Sequence, residues 1–404
     1  MISLQSIKFN HNSSSCNTDA LTIRRNASQA VNVPEWVDGV SVNPEDSPAA
    51  YSIADTAGNT ITIQARFLST NPEITRIQVR ALDAVTDPPG ETGCAGFIAK
   101  LIRRFIKAVV GNVLGEVQER WVDLTAGDSG FVAFNLINTN LANARVSKRT
   151  TEWRWQYRLS AGDPWQELRH TLHRIYVVLG TPTLPWVQTA GSTQLPWTEV
   201  LDYACDWGIL ANTPDEAGAK VTERVYALGP GTMSYDCPGG GATHYALGSF
   251  DCTKFLELLR GGPGNGHLVN CTDCATILST FANILGCDLW QSRMQSGFKL
   301  NPFIAIGYNA WYPGCSNWLG TSFNYHEVAW KGGCTASDPV FDACLQLDAD
   351  ASPDSAPHTP MLATNLVFGD CSSLGYRLRL SPNVAGGCSN CNPAPGTRQR
   401  RALI

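Results

Sequence analysis

The stretch NCTDCATILSTFANILGCDL, over 270–289, constrains this chain more than any other. Its apolar residues recur with the 3.6-residue period of an amphipathic helix. They are Ile277, Leu278, Phe281, Ile284 and Leu285. We expect Thr272 and Asp273 to cap the first turn and Gly286 to end a half-buried helix. Cys271 then stands at the helix N-terminus, where the partial positive charge favours the thiolate that a cysteine nucleophile needs.

Length and charge limit the classes of protein that the chain can form. At 404 residues it is too long for one ordinary hydrophobic core, so we expect two domains. A formal net charge of −5 gives no electrostatic reason to expect nucleic acid or an anionic membrane as a partner. No aliphatic run reaches transmembrane length, and the first sixteen residues lack the pattern of a secretory signal. These observations predict a cytoplasmic protein.

The fourteen cysteines are a high count for such a protein. Without an export signal we expect mainly reduced thiols and few disulfides. Two groups have the spacing of metal ligands: His267, Cys271 and Cys274, and the pair Cys388 and Cys391. Zinc sites usually combine two closely spaced pairs, whereas the first group lies in a helix pattern and the second is a single pair. We therefore expect no cofactor, and a structural zinc at Cys388 and Cys391 is left as an alternative.

The first half of the chain has the alternation of half-buried β-strands. The predicted strands cover 61–67, 74–82, 117–124, 130–136, 150–159 and 172–179. Short strands separated by turn signals favour an antiparallel β-sandwich, which we assign to 1–180. One insert, over 97–109, has a basic face and an apolar face, and we expect it to be a helix packed on this domain. A membrane-surface or partner-binding helix is the alternative there.

The second half changes to helices after a segment rich in Pro, Gly, Ser and Thr over 181–197, which we interpret as a linker. Helices are predicted over 198–207, 213–228 and 250–259. We assign 198–380 to a second domain. The basic end of the chain, within 381–404, is predicted to be a flexible tail.

Two strand patterns after the cysteine helix carry a base and an acid. NYHEVAW contains His326, and VFDACLQL contains Asp342. A cysteine nucleophile needs a base to accept its proton, and the base needs an acceptor that fixes its tautomer. The competing residues are Cys274, Asp338 and Asp348. We rank them lower because Cys274 lies inside the helix, Asp338 stands in a turn and Asp348 belongs to an acidic run that we expect to be solvated.

At these residues the second half resembles the transglutaminase-like superfamily. That family has its nucleophilic Cys at a helix start, often with an acidic residue two positions on and Ala four positions on, as in Cys271, Asp273 and Ala275. A His opens a later strand and an Asp lies on the next strand; here His326 and Asp342 are 16 positions apart (342 − 326). The resemblance covers roughly 198–348. It implies a papain-like α+β domain, and hence an α+β fold class for the chain.

The sequence departs from the family pattern at three places. Asn270 stands where Gly usually precedes the nucleophile, and Glu327 with Val328 follows the His where Ala-Trp is common. Ala343 with Cys344 follows the Asp in place of Pro-Thr. These departures leave open a non-catalytic interaction protein with the same fold.

The resemblance implies acyl transfer, with Cys271 as nucleophile, His326 as base and Asp342 as its orienting partner. It also implies an oxyanion donor upstream, for which we choose Tyr235, with Trp207 and Tyr245 in reserve. We expect a cysteine protease or amidase that acts on a protein or peptide substrate. An amine-accepting transglutaminase would use the same triad.

Overall fold

The computed structural model describes residues 1–11, 18–56, 60–83, 114–237, 241–311 and 322–404. The chain forms two compact units. The first contains 1–181 and 188–198, and the second contains 182–187 and 199–404. The predicted linker is thus divided between the two units. The predicted amphipathic helix over 97–109 lies outside the described residues.

Strands dominate the first unit. They are β1 Ile2–Lys8, β2 Trp36–Val37, β3 Pro48–Ser52, β4 Thr62–Ser69, β5 Arg76–Asp83, β6 Glu116–Asp123, β7 Asp128–Ile137, β8 Ser147–Arg158 and β9 Gln166–Val178. A short helix, α1, covers Ile53–Thr56, and 3₁₀ turns cover Pro44–Asp46 and Leu141–Asn143. The six predicted strands correspond to β4–β9. Sequence patterns missed β1, β2 and β3.

Hydrogen bonds join these nine strands of the described residues into one sheet, in the order β2-β1-β4-β7-β6-β5-β8-β9-β3. The pairs are antiparallel except for β3 with β9, which is parallel. Trp155 of β8 lies 5.8 Å from Phe67 of β4 and 6.1 Å from Phe134 of β7, measured between ring centroids. In the order of the sheet, β8 lies four strands away from β4. Side chains of these two strands can meet only if the sheet curls, so that both of its ends contribute to one core. A sandwich of two separate sheets stays a prediction.

Alternation along β8 explains how that core is filled. Trp153 and Trp155 are fully buried, whereas Arg154 and Arg158 are partly exposed on the opposite face. Successive side chains of a strand point to opposite faces, so one alternating pattern supplies both surfaces. The strand therefore has an aromatic face toward the core and an arginine face on the other side.

The second unit mixes helices and strands. Its helices are α2 Thr198–Trp207, α3 Pro214–Tyr226, α4 Cys252–Leu259, α5 Cys271–Asn283 and α6 Tyr376–Leu380. Its strands are β10 Ser234–Tyr235, β11 Leu268–Val269, β12 Trp290–Lys299, β13 Ile304–Ala305, β14 Ser322–Trp330, β15 Pro339–Asp348, β16 Pro360–Val367 and β17 Asn392–Gln399. The predicted helices over 198–207, 213–228 and 250–259 are confirmed as α2, α3 and α4. Within the described part of the chain, no helix combines the length and apolar character needed to cross a membrane.

A sheet in the order β13-β15-β14-β12-β17, with β16 on β15, supports the second unit. The last strand corrects the prediction of a flexible tail over 381–404. Its residues, NPAPGTRQ, carry no alternating pattern, yet the backbone pairs with β12 from Asn392 to Gln399. Beyond it, Arg401 and Leu403 are buried. Pairing with a distant strand, which local composition does not encode, orders this segment.

Helix α5 is buried along its whole length, which corrects the expectation of a half-buried helix. Most of its polar side chains find hydrogen-bond partners inside the protein, the hydroxyl of Thr280 being an exception. Thr276 and Ser279 donate to backbone carbonyls one turn earlier, at 2.7 Å each. The Asn283 amide donates to the carbonyls of Leu184 and Leu289 at 2.8 and 2.9 Å. A polar helix face can be buried when each group on it is hydrogen-bonded.

Candidate active site

Cys271 is the first residue of α5, as the sequence predicts, but the cap differs from the expectation. Asn270 is the N-cap, and its side-chain oxygen accepts the N–H of Asp273 at 3.0 Å. The carboxylate of Asp273 in turn accepts the N–H of Asn270 at 3.1 Å. This capping box fixes the first turn, so the departure from Gly at position 270 has a structural role. As the first helical residue, Cys271 has a backbone N–H without an intrahelical acceptor.

The same two side chains hold the loop over 241–246 against the helix start. Asp273 accepts the N–H groups of His244, Tyr245 and Ala246 at 3.0, 2.8 and 2.9 Å. The Asn270 amide donates to the carbonyl of Gly241 at 2.7 Å. Burial raises the pKa of Asp273, although the backbone N–H groups around it act in the opposite direction. The loop beside Cys271 is therefore built around one buried carboxyl group.

Adjacent antiparallel strands bring the predicted base and acid together. His326 lies on β14 and Asp342 on β15, and both side chains are buried. The Nε2 atom of His326 is 3.0 Å from Oδ2 of Asp342. That oxygen also accepts the hydroxyl of Tyr376 at 2.7 Å, and Oδ1 accepts the N–H of Cys344 at 2.7 Å. Both oxygens of Asp342 therefore accept hydrogen bonds. These bonds hold the carboxylate in place, and the carboxylate in turn holds the imidazole of His326 against β15.

The electrostatics of His326 reflect both of its neighbours. Burial lowers its pKa, but the charge and hydrogen bond of Asp342, together with Cys271, raise it from 6.5 to about 10. Its Nδ1 atom has no hydrogen-bond partner of standard geometry among the described residues. Cys271 is among the groups that raise this pKa, although no thiol–imidazole hydrogen bond of standard geometry is formed. In unliganded enzymes such bonds are often long and tighten when substrate binds.

Tyr376 was not found from the sequence. It opens α6, lies 34 positions after Asp342 and is fully buried. Burial, and the charge of Asp342, raise its pKa well above the usual tyrosine value, so the hydroxyl stays a proton donor. No local pattern marks a tyrosine that donates to a carboxylate on another element.

The three oxyanion candidates occupy different places. Tyr235 is buried on β10, and its pKa is raised well above the usual value, first by burial and then by Cys271. The ring of Trp207 stacks on Phe281, deep in α5, with centroids 4.7 Å apart. The hydroxyl of Tyr245 donates to the carbonyl of Gly266 at 2.5 Å. Of the three, Tyr235 is the one whose surroundings include Cys271.

The competing residues have other partners. Cys274 is buried; a hydrogen bond to Cys344 lowers its pKa, but burial and the charges of nearby groups such as Asp273 together raise it. Asp338 accepts the N–H of Thr335 at 2.8 Å within a turn. Asp348 corrects an expectation, because it is fully buried and pairs with Nδ1 of His358 at 2.7 Å. This second histidine–aspartate pair lies at the other end of β15.

The cysteines only partly follow the prediction of reduced thiols. Eight cysteines of the described chain are free, but Cys371 and Cys388 form a disulfide, and Cys237 is also disulfide-bonded. Cys388 is therefore not available as a zinc-binding thiolate beside Cys391. Burial raises the pKa of Cys391 to about 12, which also disfavours a thiolate ligand. His267 is exposed and contacts the carbonyl of Thr232 at 2.9 Å.

Comparison with known proteins finds only a weak structural similarity. No protein-family model and no curated protein matches the sequence. Among solved structures the chain is similar to the transglutaminase of red sea bream, with a TM-score of 0.39 and 11% sequence identity. The match covers 71% of this chain and 48% of that one, so the chain spans about half the length of the transglutaminase. At this similarity the two proteins share at most an overall fold.

Proposed function

We propose that this chain is a transglutaminase-like cysteine hydrolase that cleaves a peptide or carboxamide bond through a thioester intermediate. One observation carries the proposal: Asp342 holds the imidazole of His326 by Nε2, and the unpaired Nδ1 shares its surroundings with Cys271 at a helix start. A sulfur nucleophile, a base and an orienting carboxylate are the parts that covalent acyl transfer requires.

The reaction would proceed in two halves. The thiol proton of Cys271 passes to Nδ1 of His326, and the thiolate of this thiolate–imidazolium pair attacks the carbonyl carbon. The imidazolium then donates that proton to the leaving amine or ammonia, which leaves a thioester on Cys271. Water, deprotonated by His326, attacks the thioester, and the acid is released as the thiolate–imidazolium pair forms again. Asp342 stabilises the imidazolium in both halves.

The negative oxygen of the tetrahedral intermediates needs donors at fixed positions. We assign the backbone N–H of Cys271 as one donor, because the first N–H groups of a helix lack intrahelical acceptors. The hydroxyl of Tyr235 is the second. Its raised pKa keeps it protonated, so it can donate a hydrogen bond at neutral pH.

The acyl acceptor distinguishes a hydrolase from a transglutaminase. Both use the same three side chains, and water is the simpler acceptor. Incubation with glutamine-containing peptides and a labelled primary amine separates the two activities. Ammonia release without incorporation of the label supports hydrolysis, and label on the peptide supports amine transfer.

The first test is the reactivity of the thiols in the full chain. We expect iodoacetamide at pH 7 to alkylate Cys271 much faster than the other free cysteines, as measured by mass spectrometry of the peptides. His326→Asn removes the base and should abolish the difference. His358→Asn, which alters the second histidine–aspartate pair, is the matched control and should leave the Cys271 rate unchanged.

A non-catalytic interaction protein is the competing interpretation. It is favoured if Cys271 reacts no faster than buried thiols such as Cys252, whose pKa burial raises well above the usual value. In that case the wild type and Cys271→Ala would behave alike in every peptide-hydrolysis assay. Rapid alkylation of Cys271 that is lost in His326→Asn contradicts this interpretation.

A further inference from the structure

Glu327 directly follows His326, at a place where the sequence departs from the family pattern. Its side chain is buried, and both carboxylate oxygens accept hydrogen bonds from neighbouring side chains. Arg401 donates Nη1 to Oε1 at 2.6 Å and Nη2 to Oε2 at 3.2 Å, a two-point contact. Arg293 donates Nε to Oε2 at 3.1 Å, and Thr272 donates its hydroxyl to the same oxygen at 3.0 Å. A charge is tolerated in such a buried place when it is paired and hydrogen-bonded.

The bond between Thr272 and Glu327 has a consequence for the site. Thr272 follows Cys271 in the chain, and Glu327 follows His326. One hydrogen bond of 3.0 Å therefore links the residue after the proposed nucleophile to the residue after the proposed base. This bond ties the first turn of α5 to β14 directly beside the proposed nucleophile and base.

Arg401 fixes that carboxylate from the C-terminal segment. Besides Glu327, its Nη1 donates to the hydroxyl of Thr276 at 3.0 Å and to Oε1 of Gln291 at 2.8 Å. These partners lie on β14, α5 and β12, which are the elements around the site. A guanidinium is planar and presents its donors in a fixed fork, so it can hold several acceptors in one geometry where an ammonium cannot.

We propose that Arg401 is a positioning residue: through Glu327 and Thr272 it sets the spacing between Cys271 and His326. The inference rests on the proposed function. Arg401 touches neither the sulfur nor the imidazole, and it acts through the two residues that follow them. The C-terminal segment is in this sense part of the site, although it lies 130 positions after the nucleophile (401 − 271).

The test is the pH profile of Cys271 alkylation by iodoacetamide in the full chain. In Arg401→Gln we expect the midpoint of the profile to rise by about one pH unit and the rate at pH 7 to fall about tenfold, because a thiolate loses the nearby imidazolium. Arg401→Lys keeps the charge without the fork and should recover part of the change. An unchanged profile in a folded Arg401→Gln variant would overturn the proposal.

Arg400→Gln is the matched control. Arg400 is the preceding arginine; it pairs with Asp288, donates Nε to the carbonyl of Leu289 at 2.9 Å and lies 3.7 Å from the ring centroid of Trp290. Its replacement should leave the profile of Cys271 unchanged, and an equal effect of both variants would mean that Arg401 has a general structural role. If Arg401→Gln does not fold, the decision rests on Arg401→Lys, for which a wild-type midpoint overturns the proposal. A wild-type Cys271 without enhanced reactivity would instead reject the proposed function itself.

Discussion

Replacement of Asp342 by asparagine tests the electrostatics of the candidate site most directly. Asparagine keeps the size of the side chain and an oxygen that can accept the Nε2–H of His326, but it removes the charge. In the wild type the pKa of His326 is raised from 6.5 to about 10 even though burial alone lowers it. Once the charge is gone, burial should dominate, and we expect His326 in Asp342→Asn to titrate below 6.5.

The magnitude follows from the size of that increase. One pKa unit corresponds to about 1.4 kcal/mol, so a rise from 6.5 to about 10 corresponds to roughly 5 kcal/mol in favour of the imidazolium. This figure is the net of burial, which lowers the pKa, and of Asp342 and Cys271, which raise it, so a pKa below 6.5 in Asp342→Asn would mean a larger loss. A histidine whose pKa is higher in the folded chain stabilises the fold fully below its unfolded-state pKa, here about 6.5. The contribution is lost as the pH rises through about 10.

Two measurements check the prediction. Proton NMR of the His326 ring between pH 5 and 11, assigned with His326→Asn, gives the pKa in both proteins. Urea unfolding should show that Asp342→Asn is destabilised most near pH 6 and progressively less toward pH 10. The matched control is Asp348→Asn, a buried carboxylate on the same strand that pairs with His358. An Asp342→Asn variant in which His326 still titrates near 10 would refute the reasoning.

Three further substitutions probe the surroundings of the site. Asp273→Asn removes the carboxylate that accepts four backbone N–H groups, so we expect the free energy of unfolding in urea to fall by about 1–3 kcal/mol. An unchanged unfolding midpoint would contradict that role. Tyr376→Phe deletes the hydroxyl that donates to Asp342, so we expect the free energy of unfolding to fall by about 1 kcal/mol and Cys271 alkylation to slow. Equal alkylation rates would show that Tyr376 contributes only packing. Cys371→Ser opens the disulfide to Cys388, which spans 17 positions, and should cost about 3 kcal/mol in thermal unfolding. Reducing agent, which also opens the disulfide of Cys237, should cost the wild type at least as much. Wild-type stability that does not respond to reducing agent would contradict that disulfide.

Local sequence patterns were sufficient where a structural element depends on its own residues. The period of apolar residues over 277–285 predicts the helix that begins at Cys271, and Pro214 with the acidic residues after it marks the start of α3. Strand alternation placed β4–β9, and the sixteen-residue interval between His326 and Asp342 matches two adjacent strands. Helical and strand periods are imposed by backbone geometry over a few residues, so a single sequence carries them.

The tertiary structure alone decided which distant side chains meet. Tyr376 on Asp342, the buried pair of Asp348 with His358 and the contact of Arg401 with Glu327 have no local signature. The C-terminal strand is the clearest case, because its Pro- and Gly-containing sequence resembles a free tail until β12 supplies its hydrogen bonds. A hydrogen bond between residues a hundred positions apart depends on the arrangement of the whole chain, whereas propensity and period are properties of short segments.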